Sequence, residues 1–153
     1  MAVLQAQIPA DSEDFRASPV ASSPVDLVGV PWKRHGMDPR EGLGCWGVVW
    51  YAARHYGYEF PRWEQYIEGF CQELDVARNR FAEYFDEVQE AAPGDVVMFS
   101  IRGNHVTDHI GIMISTTHFL HAYPHGGVCM SRLTSPVYKR RVMGIYRWRR
   151  SDT

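Results

Sequence analysis

Apolar residues in the first half of the chain recur at the spacing of amphipathic helices. A Gly-rich loop leads into the apolar run 48–53, and Gly57 follows, so we predict a helix that has Cys45 in its first turn and stops at Gly57. Further helical spacing is carried first by Trp63, Ile67, Phe70 and Leu74, and then by Val76, Phe81, Phe85 and Val88. These two sets predict helices between 63 and 88.

The pattern changes after the turn signal Pro93-Gly94-Asp95. Segments rich in β-branched and aromatic residues then alternate with Gly, Asn, Ser, Thr and Pro, which is typical of strands. The predicted strands cover 96–101, 110–114, 119–122, 128–130 and 142–148. Short connections favour antiparallel pairing. Helices followed by strands predict an α+β fold, with the helical layer packed against one face of the sheet.

The N-terminal segment 1–24 has no periodicity and is rich in Ala, Ser, Pro, Asp and Gln. We therefore predict a mobile leader followed by one domain over 25–150, a size that fits the 153-residue chain. Residues 1–14 lack the basic and apolar regions of a signal peptide, and no apolar run approaches the ~20 residues of a membrane span. We expect synthesis in the cytoplasm without a signal peptide, and no membrane span.

Composition and charge narrow the class of protein. The chain is 45% hydrophobic and 22% charged, as in ordinary globular domains, and its formal net charge is −2. That charge argues against a protein that coats nucleic acid, and we expect no nucleic-acid partner. The C-terminal segment 139–153 is nevertheless strongly basic. It is either a solvated end or a face for an anionic polymer.

The three cysteines are too few for a disulfide framework, and their odd number leaves a thiol unpaired. Cys45 falls at the start of a predicted helix, where backbone N–H groups and the helix dipole favour a nucleophilic thiolate. The alternative for Cys45 is a buried residue that packs beside the glycines. Cys71 lies inside a predicted helix, where a structural role is expected. Cys129 lies in a predicted strand.

Five of the seven histidines fall between positions 105 and 125. The pairs His105 with His109 and His121 with His125, together with Cys129, raise the question of a zinc site. Ligands four residues apart converge on a helix, whereas this region has strand character, and four residues span about 13 Å in a strand. We therefore expect no metal site and no other cofactor.

His109 and His121 are better placed to serve a thiol. His109 precedes one predicted strand and His121 lies near the end of the next, twelve residues away. If the two strands pair residues of equal parity, both imidazoles project from the same face of the sheet. One could then act as the base for Cys45 while the other orients it. The alternative is that each histidine satisfies a local hydrogen bond.

Several motifs, taken in order, resemble the NlpC/P60 family of cysteine peptidases, and in particular its phage-tail type. The family pattern has a Gly-x-Pro-Tyr segment, Asp-Cys-x-Gly entering a helix, Pro-Gly-Asp before a strand, His-Val-Gly-Ile and Phe-x-His-Ala. The corresponding residues here begin at Gly29, Gly44, Pro93, His109 and Phe119. The resemblance covers about residues 26–148.

The resemblance implies a papain-like α+β fold with helices on a mainly antiparallel sheet of five to six strands. It implies that Cys45, at a helix N-terminus, is the nucleophile, His109 the general base and His121 the orienting third residue. The implied substrate is a peptidoglycan stem peptide, often cut between D-glutamate and diaminopimelate. Expected substrate-binding positions are Trp32, Gly44 and Trp46, which replace the family's Tyr, Asp and common Ser.

Three functions follow from this resemblance. The first is a phage or prophage endopeptidase that is associated with tail proteins and acts at the cell wall. The second is a tail-assembly component with reduced or lost catalysis, which the departures at Trp32, Gly44 and Trp46 favour. The third is an amidase or acyltransferase of the same fold that acts on another amide.

Overall fold

The computed structural model describes residues 23–60, 83–103 and 107–149. Residues 1–22 of the predicted leader lie outside the described residues. So do the helical pattern between 61 and 82, Cys71 and His105. Pro24, predicted to end the leader, already belongs to a 3-10 helix over Pro24–Leu27. In the described part, no helix is long and apolar enough to cross a membrane.

The main sheet has six strands and is antiparallel throughout. Two short strands, β1 and β2, form a separate hairpin ahead of it. The strands of the hairpin are β1 (Met37–Asp38) and β2 (Gly42–Leu43). Those of the main sheet are β3 (Phe85–Val88), β4 (Val96–Phe99), β5 (His109–Met113), β6 (His118–Tyr123), β7 (Gly127–Arg132) and β8 (Val142–Trp148), in the spatial order β3-β8-β4-β5-β6-β7. The predicted α+β fold and its sheet are confirmed.

Within the described residues, α1 (Cys45–Ala53) is the one α-helix whose two ends are both described, and it continues as a 3-10 turn over Arg54–Tyr56. Glu83 and Tyr84, just before β3, are also helical. Gly57 ends this segment in the left-handed conformation, at φ 80°, which a residue without Cβ adopts at little cost. The predicted start and stop of the helix are therefore both confirmed. Every residue of α1 after Cys45 is buried, so the helix is central to the core.

The prediction of a helix through Phe85 and Val88 is wrong. These residues form β3, which pairs with β8 from Phe85 opposite Trp148 to Val88 opposite Ile145. Their spacing of three fits a helix, but the segment lies beside an open edge of β8, and pairing satisfies its backbone groups. Phe85 also packs edge-on against Trp148 at 5.3 Å. Tertiary pairing thus overrides a local pattern of only a few residues.

The sheet buries both of its faces against different sets of residues. One face carries Ile110, Ile112 and Leu120 and packs with α1 in the larger core cluster. The other face carries Val97, Phe99, Met113 and Phe119, which cluster with Tyr138 from the segment before β8. Because successive residues of a strand point to opposite faces, the even-numbered positions of β5 and β6 face the helix and the odd-numbered ones do not.

The turn at Pro93-Gly94-Asp95 is tied to the last strand by an ion pair whose carboxylate is buried. Asp95 is 1% exposed, and its carboxylate accepts hydrogen bonds from Arg147 Nε at 2.9 Å and Nη2 at 2.8 Å. The same carboxylate accepts from the backbone N–H of Ala92 at 2.8 Å. Arg149 binds Asp86 in a second, more exposed pair. Two cations of the basic C-terminal segment are thus paired with carboxylates of the same chain.

Candidate active site

The N-terminus of α1 is built from backbone rather than from side chains. Gly44 is the N-cap residue, with an extended backbone and no side-chain cap, and Cys45 is the first helical residue. Cys45 is a half-buried thiol that packs on the helix-side core. A thiol at this position lies at the positive end of the helix dipole, which favours the thiolate form.

Gly44 has little room for a side chain because the segment 33–36 folds over it. Its N–H donates to the carbonyl of Gly36 at 3.0 Å. A Cβ on Gly44 would lie 3.1 Å from the backbone N of His35 and 3.1 Å from the backbone O of Lys33. The chain at 33–36 therefore crowds the position where the family pattern has an Asp. Gly44 can offer a substrate only its backbone.

The two tryptophans predicted to bind substrate lie in different surroundings. Trp32 is half-buried and forms an isolated bridge with Leu43, two residues before the thiol. Trp46 is only 2% exposed and stacks on Phe60 with the ring centroids 6.0 Å apart. Trp46 is therefore a core residue in this structure, and its assignment as a substrate-binding position stays a prediction. Trp32 remains near the loop that presents Cys45.

His109 and His121 are in direct contact. The strands β5 and β6 pair Ile112 with Leu120 and Met113 with Phe119, so partners have equal parity, as the sequence argument required. The same register brings the odd-numbered His109 and His121 to one face as diagonal neighbours. Their imidazoles are joined by a hydrogen bond of 2.8 Å between His109 Nε2 and His121 Nδ1.

Aromatic rings enclose this histidine pair. Tyr123 lies parallel to His109, with the centroids 5.3 Å apart, and meets His121 edge-on at 4.5 Å. Phe119 and Tyr138 pack on the other sides of His121. The rings keep water from the hydrogen bond between the two imidazoles and hold both in one orientation. Tyr123 was not singled out from the sequence, although it follows His121 at the period of two that shares a face.

Burial controls the charge of the pair. Desolvation lowers the pKa of His109 to about 4, although the neighbouring Asp108 carboxylate acts to raise it. Desolvation, and then the proximity of His109, lowers the pKa of His121 to about 3. Both rings are therefore neutral at pH 7, and each carries a single N–H. A neutral His109 is in the form that a general base requires.

We expect the histidine pair to make the fold sensitive to acid. The unfolded chain has histidine pKa values near 6.5, so between about pH 4 and 6.5 it binds more protons than the folded protein. The free energy of unfolding should fall by about 2 kcal/mol per histidine between pH 7 and pH 5. Urea unfolding at both pH values measures this loss. His121→Gln should reduce it, whereas the same change at exposed His125 should not. An undiminished loss in His121→Gln would contradict the assignment.

Three further residues lie beside the histidines; of these, Cys129 was considered from the sequence only as a zinc ligand, and Ser131 and Asp108 were not singled out. Ser131 Oγ lies 2.7 Å from His121 Nε2, and Cys129 Sγ lies 3.5 Å from the same nitrogen. Both residues lie two positions apart on β7 and share a face with His121, a relation that depends on the register between β6 and β7. Asp108 accepts from the backbone N–H groups of Ile101 at 2.7 Å and Arg102 at 3.0 Å. It thereby fixes the chain just before His109.

The structure brings His109 and His121 together, but it constrains how Cys45 can join them. The imidazoles lie on the face that holds the Phe119 and Tyr138 cluster, whereas α1 packs on the opposite face. His109 is the first residue of β5 and is half-buried. A contact between the thiol and His109 therefore has to form around the end of β5 rather than through the sheet. The Cys45–His109 pairing stays a prediction.

No group of three or more His, Cys, Asp or Glu side chains within residues 23–60, 83–103 and 107–149 could hold a metal ion. His121 and Cys129 are neighbours, but His125 lies in the turn after β6 and is exposed. His105 lies outside the described residues.

Comparison with known proteins identifies the family. A model of the NlpC/P60 family matches residues 29–147, a range that contains Cys45, His109 and His121. The chain belongs to the NlpC/P60 family. The match extends over the hairpin, α1 and all but the last residue of the six-stranded sheet. The family suggested by the motifs is therefore confirmed.

Two curated relatives of this NlpC/P60 chain are enzymes of bacteria. It is 30% identical over 136 residues to the gamma-DL-glutamyl hydrolase of Bacillus subtilis strain 168, covering 85% of this chain and 29% of that protein. It is 31% identical over 120 residues to the murein DD-endopeptidase MepS/murein LD-carboxypeptidase of Escherichia coli strain K12, covering 76% of this chain and 55% of that protein. The chain thus spans about half or less of either relative.

Solved structures support the fold. An NLP/P60-family protein similar to lipoprotein, from Staphylococcus aureus, aligns with a TM-score of 0.58 at 21% identity, covering 86% of this chain and 42% of that one. The NlpC/p60 domain of the peptidoglycan hydrolase SagA aligns with a TM-score of 0.56 at 18% identity, covering 84% of this chain and 95% of that domain. The NlpC/P60 fold thus holds despite low sequence identity.

Proposed function

We propose that this NlpC/P60 chain is a cysteine peptidase that hydrolyses an amide bond in peptidoglycan stem peptides. Cys45 is the nucleophile, His109 the general base and His121 the orienting residue. The observation that carries this proposal is the 2.8 Å hydrogen bond that joins the two buried imidazoles. A murein endopeptidase and a gamma-glutamyl hydrolase among the relatives support the choice of substrate.

The first step is activation of the thiol. The neutral His109 has its Nε2 engaged by His121, so its Nδ1 is the nitrogen left for the proton of Cys45. Transfer of that proton gives a thiolate and an imidazolium, and the positive end of α1 stabilises the thiolate. The thiolate then attacks the carbonyl carbon of the scissile amide and forms a tetrahedral intermediate.

The second step returns the proton. The His109 imidazolium protonates the leaving amine, the C–N bond breaks, and an acyl thioester with Cys45 remains. Water, deprotonated by the same imidazole, hydrolyses the thioester and regenerates the thiol. His121 keeps the His109 ring in one orientation through both transfers, because its Nδ1 stays bonded to His109 Nε2.

The bond that we propose is the one between D-glutamate and diaminopimelate. The name of the Bacillus relative refers to a glutamyl bond, which supports this choice, whereas the Escherichia relative is named for DD-endopeptidase and LD-carboxypeptidase activities. Gly44 presents no carboxylate for a substrate ammonium, and the segment 33–36 crowds the position where a side chain would attach. A free amine at the substrate end is therefore not required for binding.

We also propose that the protein is associated with a phage or prophage tail and acts at the cell wall. The resemblance of its motifs to the phage-tail type of the family supports this location. Immunoblotting of purified particles tests it, because a tail protein co-sediments with the particles and a host enzyme stays in the supernatant. Absence from the particles would remove the tail association and leave the hydrolase proposal intact.

Mass spectrometry of muropeptides tests the enzymatic proposal. Wild-type protein should release the peptide beyond D-glutamate from the glycan-linked dipeptide, with the addition of one water. Cys45→Ser should release none, since a serine hydroxyl without the thiol's acidity is a poor nucleophile here. Cys129→Ala is the matched thiol variant and should retain turnover, because burial raises the pKa of the Cys129 thiol and keeps it protonated.

The outcomes separate the alternatives. Loss of activity in Cys129→Ala but not in Cys45→Ser would reassign the nucleophile. Monomers released from crosslinked dimers would change the scissile bond but keep the mechanism. An inactive wild-type protein with a normal thermal unfolding transition would favour a structural role in the tail. Thermal unfolding of each variant establishes that the fold is intact.

A further inference from the structure

His121 uses both of its ring nitrogens inside the protein. Its side chain is 0% exposed, so neither nitrogen can rely on bulk water. Nδ1 bonds with His109 Nε2 at 2.8 Å, and Nε2 lies 2.7 Å from Ser131 Oγ. Cys129 Sγ lies 3.5 Å from the same Nε2. Four side chains therefore form a connected chain from His109 to β7.

The positions of the protons along this chain follow from the role of His109. A neutral imidazole carries one N–H, so a His109 that accepts a proton at Nδ1 must hold its own at Nε2 and donate it to His121. His121 then accepts at Nδ1 and must carry its own proton at Nε2. That N–H needs an acceptor inside the protein, and the hydroxyl oxygen of Ser131 is the stronger and nearer of the two present.

We propose that Ser131 is a positioning residue that selects the Nε2–H form of His121. By accepting that proton, Ser131 makes His121 an acceptor toward His109 and leaves His109 Nδ1 as the basic nitrogen. The reverse arrangement, with Ser131 donating, puts a proton on His121 Nδ1 and another on His109 Nδ1. His109 then has no lone pair for a thiol at that nitrogen. The geometry shows which atoms are joined, whereas the direction of the protons along them, and its catalytic consequence, rest on the proposed function.

The place of Ser131 is fixed by the sheet. The strands β6 and β7 pair His121 with Cys129 and Phe119 with Ser131, so Ser131 is a diagonal neighbour of His121. The outer edge of β7 is held as well, since Val128 exchanges hydrogen bonds with the segment at Gly29 and Val30. That segment leads through Trp32 to the loop before Cys45. Ser131 is thus anchored from both sides.

The other titratable groups around the pair do not replace Ser131. They are Asp108, Tyr123, Cys129 and Tyr138. The Asp108 carboxylate accepts from two backbone N–H groups before β5 and acts on His109 through its charge. Burial raises the pKa of both the Cys129 thiol and the Tyr138 phenol, so both are neutral at pH 7. The two tyrosines contact the histidines through their rings.

Nitrogen NMR of the histidine side chains tests the proposal without any substrate. In protein labelled with ¹⁵N-histidine, the two-bond proton–nitrogen correlations distinguish the Nε2–H from the Nδ1–H form. Wild-type protein at pH 7 should have His109 and His121 both as Nε2–H. Ser131→Ala should shift His121 toward Nδ1–H or toward a mixture. Ser131→Thr keeps the hydroxyl and should restore the wild-type pattern, and Cys129→Ala should leave it unchanged.

Kinetics supplies the second readout. The kcat of Ser131→Ala on the muropeptide substrate should fall about tenfold with little change in KM, and Ser131→Thr should recover most of the loss. A wild-type His121 in the Nδ1–H form would overturn the proposal, and this result does not require any variant to be stable. A Ser131→Ala spectrum identical to that of the wild type would also overturn it. An equal shift in Cys129→Ala would transfer the role to the thiol. A wild-type protein without hydrolase activity would refute the proposed function alone, because the NMR result does not depend on turnover.

Discussion

His109→Ala should reduce kcat on a stem-peptide substrate by at least about 10³-fold and leave the fold intact. The imidazole lies on the path of two proton transfers, and the neighbouring His121 has both of its ring nitrogens engaged inside the protein. His109 is half-buried at the start of β5, so its removal leaves less of a cavity than removal of a fully buried ring. Steady-state kinetics with a chromogenic or mass-detected stem peptide measures the effect.

His121→Ala should leave measurable activity, because an orienting residue adjusts a proton transfer that it does not perform. Since His121 is fully buried, His121→Gln is the better-matched variant, with an amide that can still reach both neighbours. Comparison of the activities of His121→Ala and His121→Gln separates the effect of a cavity in the core from the effect of losing the group that orients His109. Wild-type turnover in His109→Ala, combined with an inactive His105→Ala, would move the base to the loop before β5.

Asp95→Ala should lower the free energy of unfolding by about 3 kcal/mol. Asp95 is 1% exposed, and its replacement leaves the backbone N–H of Ala92 without its acceptor and the Arg147 guanidinium with only the carbonyl of Glu90. The pair joins the turn before β4 to β8, so its loss loosens the centre of the sheet. Urea unfolding followed by tryptophan fluorescence measures the change.

Asp86→Ala is the matched control for that experiment. Asp86 also binds an arginine fork, that of Arg149, but its side chain is 61% exposed. Water replaces the lost interaction at an exposed carboxylate, so the unfolding midpoint should hardly move. Equal losses in Asp86→Ala and Asp95→Ala would show that burial does not set the strength of these pairs.

The strands after Pro93 could be predicted from sequence because each is a short β-branched or aromatic run between turn residues. β5 and β6 differ from their predicted bounds by one residue at each end. β3 could not be predicted in the same way, since Phe85 and Val88 have the spacing of a helix and their strand exists only through β8. Local sequence patterns therefore located the strands whose own residues favour a strand, and they failed for β3, whose conformation depends on pairing with β8.

The contact between His109 and His121 was predicted only if β5 and β6 pair residues of equal parity. No local sequence pattern determines that register. The turn at Ser115 sets that register, because its hydroxyl accepts from the backbone N–H groups of Thr117 and His118. Ser131 was missed for the same reason, since its relation to His121 depends on a third strand. The burial of Trp46 was missed because a residue beside a nucleophile suggests a substrate contact, whereas its side chain turns into the core.

The backbone contacts around Gly44 couple two stretches of the sequence, 33–36 and 42–47, so that a change in one affects the other. A Cβ on Gly36 would strike the carbonyl of Gly42, and one on Gly47 would strike the carbonyl of Gly36. Together with the crowding at Gly44, these contacts link 33–36 to the start of α1 without using a side chain. A chimaera that takes only the Asp-Cys loop from a relative would require the resident 33–36 segment to shift by a few tenths of an ångström. We therefore expect recombination between family members to keep the thiol in place best when it carries both stretches across together.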